Sequence, residues 1–269
     1  MTEDWSEAVP GRTAILMVNG FHRRNSSAAE AIRYPWIALA LREVARRSSE
    51  ADYQVLVWDN ANLGQHRRIL DADRRVRVWH ADPPGRDVPH PNALDQLVAR
   101  TGKDVEFLIT LDTDALPIRD GWIETLTGHL DAGAALAGVW RDEMTARLRP
   151  FVHPSCLCIR RRDLLGLGVS FAKGMEQDVG QNLTQELRRR GRRIVRLRRS
   201  NARNAHFLIG GIYGDLVYHH GAGSRRAGFW TSTDPKEDER IRVLLREAAF
   251  RDIDHLVAVL RGHTPNDIW

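Results

Sequence analysis

Residues 105–118 read VEFLITLDTDALPI. The apolar run stops at Asp112-Thr113-Asp114, and Pro117 follows soon after. This predicts a buried strand over 105–111 whose two carboxylates stand where the chain leaves the core and opens into a loop. Along an extended backbone, residues two apart point the same way. Asp112 and Asp114 are therefore placed to converge on one hard cation, or to divide between a metal and a ribose hydroxyl. Two like charges at a core edge cost stability unless a cation or hydrogen-bond donors compensate, so something positive is expected beside them. A divalent ion there would in turn bind a diphosphate.

Working outward, Thr13–Val18 (TAILMV) reads as a first buried strand ending at Asn19-Gly20, and Tyr53–Trp58 (YQVLVW) as a second ending at Asp59-Asn60. Between them a helix is expected over 35–47, with Trp36, Leu39, Ala40 and Val44 at helical spacing. A strand over 76–79 and a helix over 92–100 lead into the acidic strand. Beyond it come a helix over 121–130, strands over 134–140 and 151–159, a helix over 178–190 closed by Gly191, and a basic strand over 193–197. The last segment, 236–262, carries Ile241, Leu245, Ile253, Leu256 and Leu260 along one apolar helical side. Strands alternating with helices predict an α/β fold with a mostly parallel central sheet, where ligands gather at the carboxyl ends of strands. The polar exits Asn19, Asp59-Asn60 and Asp112-Thr113-Asp114 would share that edge, and a nucleotide would lie across them. Neither a Gly-x-Gly-x-x-Gly after the first strand nor a Walker Gly-Lys-Ser/Thr occurs, which weighs against dinucleotide enzymes and P-loop NTPases.

The 269 residues suit a single domain with a large core. No run of eighteen apolar residues is found, and the N-terminus MTEDWSEAVPGR is polar, so a cytoplasmic protein without a transmembrane segment is expected. Cys156 and Cys158 are expected as reduced core residues, on opposite faces of their strand and unable to bridge. Three lysines against 37 arginines reflect a GC-rich coding bias more than a binding surface. Residues 160–203 nevertheless hold thirteen basic and four acidic side chains, a local balance of +9. That stretch is either a solvated helix face or a surface for phosphates, an anionic acceptor or peripheral membrane contact. Trp122 and Trp140 are expected in the core, and His153 beside an acceptor cleft.

The order of motifs, VWDN at 57–60, LDTD at 111–114, HPSCLCIRR at 153–161, GMEQD at 174–178, RRRG at 188–191 and YHHG at 218–221, resembles the GT-A fold of nucleotide-sugar glycosyltransferases, particularly family two and its bacterial relatives. The likeness covers about residues 13–225. It implies a donor-binding half over about 13–118, an acceptor and catalytic half over about 119–230, and the C-terminal helical segment. It further implies Asp59 at the nucleobase, Asp112 at the ribose or metal, Asp114 at the metal, and His219 or His220 as a third ligand, His219 being preferred. The expected cofactor is Mn²⁺ or Mg²⁺, and imidazole ligation favours Mn²⁺. Asn19, Asn60 and Arg225 join the donor-binding set, Arg225 and Arg226 as diphosphate clamps. Asp178, with Glu176 second, is the expected base for the acceptor hydroxyl in an inverting reaction. Gln177 splits the acidic dipeptide usual in the family.

Two other classes are weighed. A nucleotidyltransferase acting on a sugar phosphate would carry a glycine-rich basic loop after the first strand, and here Asn19-Gly20-Phe21-His22-Arg23-Arg24 has one glycine. A non-enzymatic binder of nucleic acid or an anionic surface would use the 160–203 arginines. That stretch holds Phe171 as its sole aromatic, so no nucleic-acid partner is expected. The favoured partners are a nucleoside-diphosphate sugar and a small-molecule or glycan acceptor.

Overall fold

The computed structural model describes residues 12–20, 28–48, 50–81, 87–143, 149–171, 178–201, 208–221, 223 and 234–262. The chain begins with β1 (Thr13–Asn19), two helices α1 (Ala28–Arg33) and α2 (Trp36–Arg47), and β2 (Tyr53–Asp59). Helix α3 (Gly64–Leu70), β3 (Val76–His80), α4 (His90–Ala99) and β4 (Phe107–Leu111) complete the first half. Next come β5 (Ala115–Pro117), α5 (Trp122–Asp131), β6 (Leu136–Arg141), β7 (Phe151–Arg160), α6 (Arg161–Leu167) and α7 (Gln181–Arg189). The described chain closes with β8 (Ile194–Leu197), β9 (Gly211–Tyr213), β10 (Val217–His219), α8 (Pro235–Arg251) and α9 (Ile253–Gly262).

Seven strands form one sheet in the order β3-β2-β1-β4-β7-β6-β8. Every pairing is parallel except those of β7, which runs against both β4 and β6. Consequently β1, β2, β3, β4 and β6 all end on the same edge. Both faces are covered, as a parallel sheet requires. Along β1, Ile15 and Met17 enter one apolar cluster while Ala14 and Leu16 enter the other. The first cluster is completed by α2, α5, α8 and α9, and the second by α4, α6 and α7. Helix α2 buries Trp36, Ile37, Leu39, Ala40 and Val44. Each large side chain enclosed in this way contributes roughly 1.5–3 kcal/mol of hydrophobic stabilisation.

Trp122 and Trp140 are core residues, as expected. The cysteines differ from expectation in one respect. Cys156 and Cys158 lie in the same cluster, because side chains two apart on a pleated strand share a face. Both remain free thiols, and burial pushes Cys156 up to about 12 and Cys158 well above its ordinary range. The helix expected from 178 starts at Gln181, since Gly180 takes a left-handed φ of 77° and sets the turn before it. The C-terminal segment is two helices. Asp252 is extended between them, and its carboxylate accepts from the backbone N–H of His255 at 3.0 Å to begin the second. A further three-stranded antiparallel sheet, β5-β10-β9, was not anticipated.

The basic stretch is largely committed to the chain itself. Arg160 pairs with Glu106 and Asp131, Arg189 and Arg190 with Glu186, and Arg188 and Arg196 lie over the Trp140 ring. Among the described residues, no helix is long and apolar enough to cross a membrane.

Candidate active site

The shared strand edge holds two kinds of carboxylate. At the end of β2, Asp59 is wholly buried and encircled by donors. Its Oδ1 accepts from Asn19 Nδ2 at 2.8 Å and from the backbone N–H groups of Ala61 and Asn62 at 3.1 and 3.2 Å. Its Oδ2 lies 3.1 Å from His80 Nδ1, on the neighbouring strand. Asn60 reaches across to the segment before α4, donating to the Val88 carbonyl at 2.8 Å and accepting from the Val88 N–H at 3.0 Å. Asn19, Asp59 and Asn60 thus form one network that shapes the loops leaving β1 and β2. Beside it a small cleft, touched by Asn19, Gly20, Tyr34, His66, Thr113 and Gly223, runs toward the acidic pair.

At the end of β4, Asp112 and Asp114 flank the turn into β5. The turn is tied down by the Asp112 N–H donating to the Ser155 carbonyl at 3.1 Å and the Ala115 N–H donating to the Asp112 carbonyl at 2.9 Å. Strand β10 pairs with β5, setting His219 opposite Ala115. This is why the small sheet matters: it carries a histidine more than a hundred residues away to the acids. His219 Nε2 lies 3.5 Å from Asp114 Oδ1 and 3.8 Å from Asp112 Oδ2. One ligand atom from each of Asp112, Asp114 and His219 lies within 4.8 Å of the other two. Two carboxylates and an imidazole drawn together in this way are a donor set of the kind that can hold a divalent cation.

The other carboxylate oxygens are held from outside. Asp112 Oδ1 lies 3.3 Å from His90 Nε2, at the start of α4. Asp114 Oδ2 accepts from the Gly223 N–H at 2.8 Å. Position 223 suits glycine, since a Cβ there would stand 2.5 Å from Asp114 Cβ. Burial alone would favour the neutral acid at Asp114, but the attraction and hydrogen bond of His219, then His220 and the Gly223 N–H, hold it below the usual carboxylate range. At Asp112 burial also opposes ionisation, and the contact with His90 outweighs it, lowering the value. His220 faces away. Its ring stacks 4.6 Å from Trp36 and its Nδ1 meets the Tyr218 hydroxyl at 3.1 Å, while burial drives it down to about 3.

The acceptor side is partly described. Asp178 precedes the Gly180 turn, and its Oδ1 accepts from the Val179 N–H at 2.8 Å. Gly180, not Asp178, occupies the helix cap. Glu176, Arg225 and Arg226 lie outside the described residues. His153 sits with its ring 5.9 Å from that of His219 and is held neutral, well below its ordinary value, by burial and the nearby charge of Arg141.

Two residues escaped the sequence reading. His90 left no signal, because nothing local to PHPN at 89–92 links it to β4. Arg141 had one: β6 runs parallel to β4, so its last residue is a fourth polar exit on the same edge. Burial works against the Arg141 charge, yet Tyr213, Glu143, Asp178 and Asp112 together raise its pKa. Arg141 Nη2 donates to His219 Nδ1 at 2.9 Å.

No protein-family model and no curated protein sequence matches this chain. Solved structures do. The crystal structure of Staphylococcus aureus TarS 1–349 in complex with UDP-GlcNAc superposes with a TM-score of 0.50 at 11% identity, over 69% of this chain and 55% of that one. Along that alignment the chain spans about half the length of its relative. A second crystal structure of TarS 1–349 gives 0.50 and 11% over 90% and 73% of the two chains. A 4-diphosphocytidyl-2C-methyl-D-erythritol synthase from Anaerococcus prevotii gives 0.45 and 11% over 71% and 90%. The fold is GT-A-like: a mostly parallel sheet flanked by helices.

Proposed function

We propose that this protein is a metal-dependent glycosyltransferase that moves a sugar from a nucleoside diphosphate to an acceptor hydroxyl with inversion. The observation that carries the reading is the meeting of Asp112, Asp114 and His219 at the ligand-binding edge of a GT-A-like sheet. The UDP-GlcNAc held by TarS supports a nucleotide-sugar donor. Those three residues would hold Mn²⁺ or Mg²⁺. Bound there, the ion supplies Lewis-acid neutralisation of the departing diphosphate.

The chain's own groups do the rest. The network of Asn19, Asp59 and Asn60 would support the strand exits across which the nucleoside lies. Asp178 takes the proton of the acceptor hydroxyl as its oxygen attacks the anomeric carbon from the face opposite the diphosphate. A carbon–oxygen bond forms on that face, the bond to the diphosphate breaks, and its electron pair leaves with the phosphate. Arg225 serves as a diphosphate clamp, and Glu176 stands by as the alternative base. The stretch 160–203 carries Phe171 as its sole aromatic, so it lacks the stacking side chains a nucleic-acid binder would add to its basic groups, which favours the enzyme over a non-enzymatic binder.

Thermal denaturation with UDP, GDP, dTDP and CDP, each with and without Mn²⁺, tests the reading. At least one nucleotide should stabilise the protein only when Mn²⁺ is present, by about 2.7 kcal/mol at a hundredfold excess over its dissociation constant. Absence of any metal-linked nucleotide shift would remove the proposal. Release of pyrophosphate from a nucleoside triphosphate and a sugar phosphate would replace it with nucleotidyl transfer.

A further inference from the structure

The contact between Arg141 and His219 has the wrong polarity for a histidine ligating a metal. A ligating imidazole needs a lone pair on the nitrogen that faces the ion, and its far N–H donates to a carboxylate, carbonyl or water. Here the far nitrogen, Nδ1, faces the Arg141 Nη2 at 2.9 Å. A guanidinium has donors only, so Nδ1 must accept. The single proton of the neutral ring then sits on Nε2, the nitrogen directed at Asp114 Oδ1 and Asp112 Oδ2. In this arrangement His219 bridges the acids as a donor and has no lone pair for a cation.

A second observation concerns the arginine itself. Its Nε is buried without a hydrogen-bond partner among the described residues. A buried donor left without a partner is costly, so a group that supplied an acceptor there would be favoured. It stands at the polar edge, within electrostatic reach of both Asp112 and Asp178. An anionic group arriving there would give its donors partners that the protein does not.

We propose that Arg141 and a divalent cation compete for His219: the guanidinium holds the imidazole in the tautomer that cannot ligate, and the incoming ion displaces it toward the anionic group of the donor. This rests on the reading of Asp112, Asp114 and His219 as a metal site. Arg141 is then the resident positive charge of the ion-free site, and a positioning residue once the ion is bound. By linkage, an anion that draws Arg141 away tightens ion binding by the same factor with which the ion tightens the anion.

Mn²⁺ titration, followed by the electron paramagnetic resonance signal of the free ion, tests this without any turnover. Arg141→Gln supplies a carbonyl able to accept from Nδ1–H and so favours the ligating tautomer. It should bind Mn²⁺ on the order of ten-fold more tightly than the wild type, the scale at which partners of a ligand histidine act. Arg141→Met removes the charge but accepts nothing, and should fall between the two. Arg141→Lys keeps donor and charge and should match the wild type. In a His219→Ala background the difference between Gln and Met should vanish. Equal affinity of the Gln and Met proteins, or a gap that survives His219→Ala, would overturn the competition. Asp114→Asn separates the two ideas: if it binds Mn²⁺ as the wild type does, the metal-site reading fails, whereas loss of binding with no response at Arg141 defeats this inference alone.

Discussion

Asp59 ends β2 and Asp114 closes the turn that follows β4, the two strands that flank β1, yet their environments are opposite. Around Asp59, an asparagine, two backbone N–H groups and a histidine approach the carboxylate, and the segment it closes on is its own loop. Around Asp114, one oxygen takes the Gly223 N–H and the other faces a second carboxylate's neighbourhood and a histidine from a distant strand. The first carboxylate is spent on architecture. The second is held ionised beside another of like charge, an arrangement that costs stability unless a ligand uses it. A strand exit bearing an aspartate is therefore not by itself a binding site; what decides is whether the oxygens are already occupied.

Four substitutions would break or sharpen that contrast. The largest effect is expected for Asp114→Asn, which should lower turnover on the order of a thousand-fold, the several kcal/mol a metal contributes to the transition state, while circular dichroism shows the fold retained. Any Mn²⁺-dependent thermal stabilisation should disappear with it. Asp59→Ala should do the reverse. With its donors left unpaired, urea denaturation should show a loss of roughly 2–4 kcal/mol, and the Mn²⁺-dependent increment should survive. If Asp59→Ala instead left stability intact and abolished nucleotide binding, the architectural assignment would be wrong.

Gly223→Ala comes third. The added Cβ meets Asp114 at 2.5 Å from Cβ and 2.8 Å from Oδ2, so either the loop or the carboxylate must shift. Mn²⁺ affinity measured by calorimetry should fall about ten-fold, in keeping with loss of a group that orients a ligand. His90→Phe should be the mildest. Its contact with Asp112 is long, at 3.3 Å, and partly open to water, so a decrease of only about three-fold is expected, below the usual range for orienting groups. A larger loss there than at Gly223 would make His90 a ligand in its own right.

The strands were readable because burial of both faces demands continuous apolar runs, and TAILMV, YQVLVW and EFLITL supply them. The same runs end in polar residues, so the edge carrying the site was legible too, and with it Asp112 and Asp114. Less was visible where contacts are short and mutual. Strands of three residues such as β5, β9 and β10 have no periodicity to detect, and they form because they complete one another across a hundred residues of chain. His219 was named through a family likeness rather than through any local pattern. His90 and Arg141 were not named at all.

Sequence alone determined the alternation of strands and helices, the two-sided core and the acidic exit, because hydrophobic burial and backbone periodicity are local properties. Tertiary structure alone decided that Asp59 is enclosed, that His219 and not His220 meets the acids, and that Arg141 faces Nδ1. Those facts depend on which donor lies within about 3 Å of which acceptor, the range over which a hydrogen bond is made. Such distances arise from packing between segments, and no stretch of residues contains them.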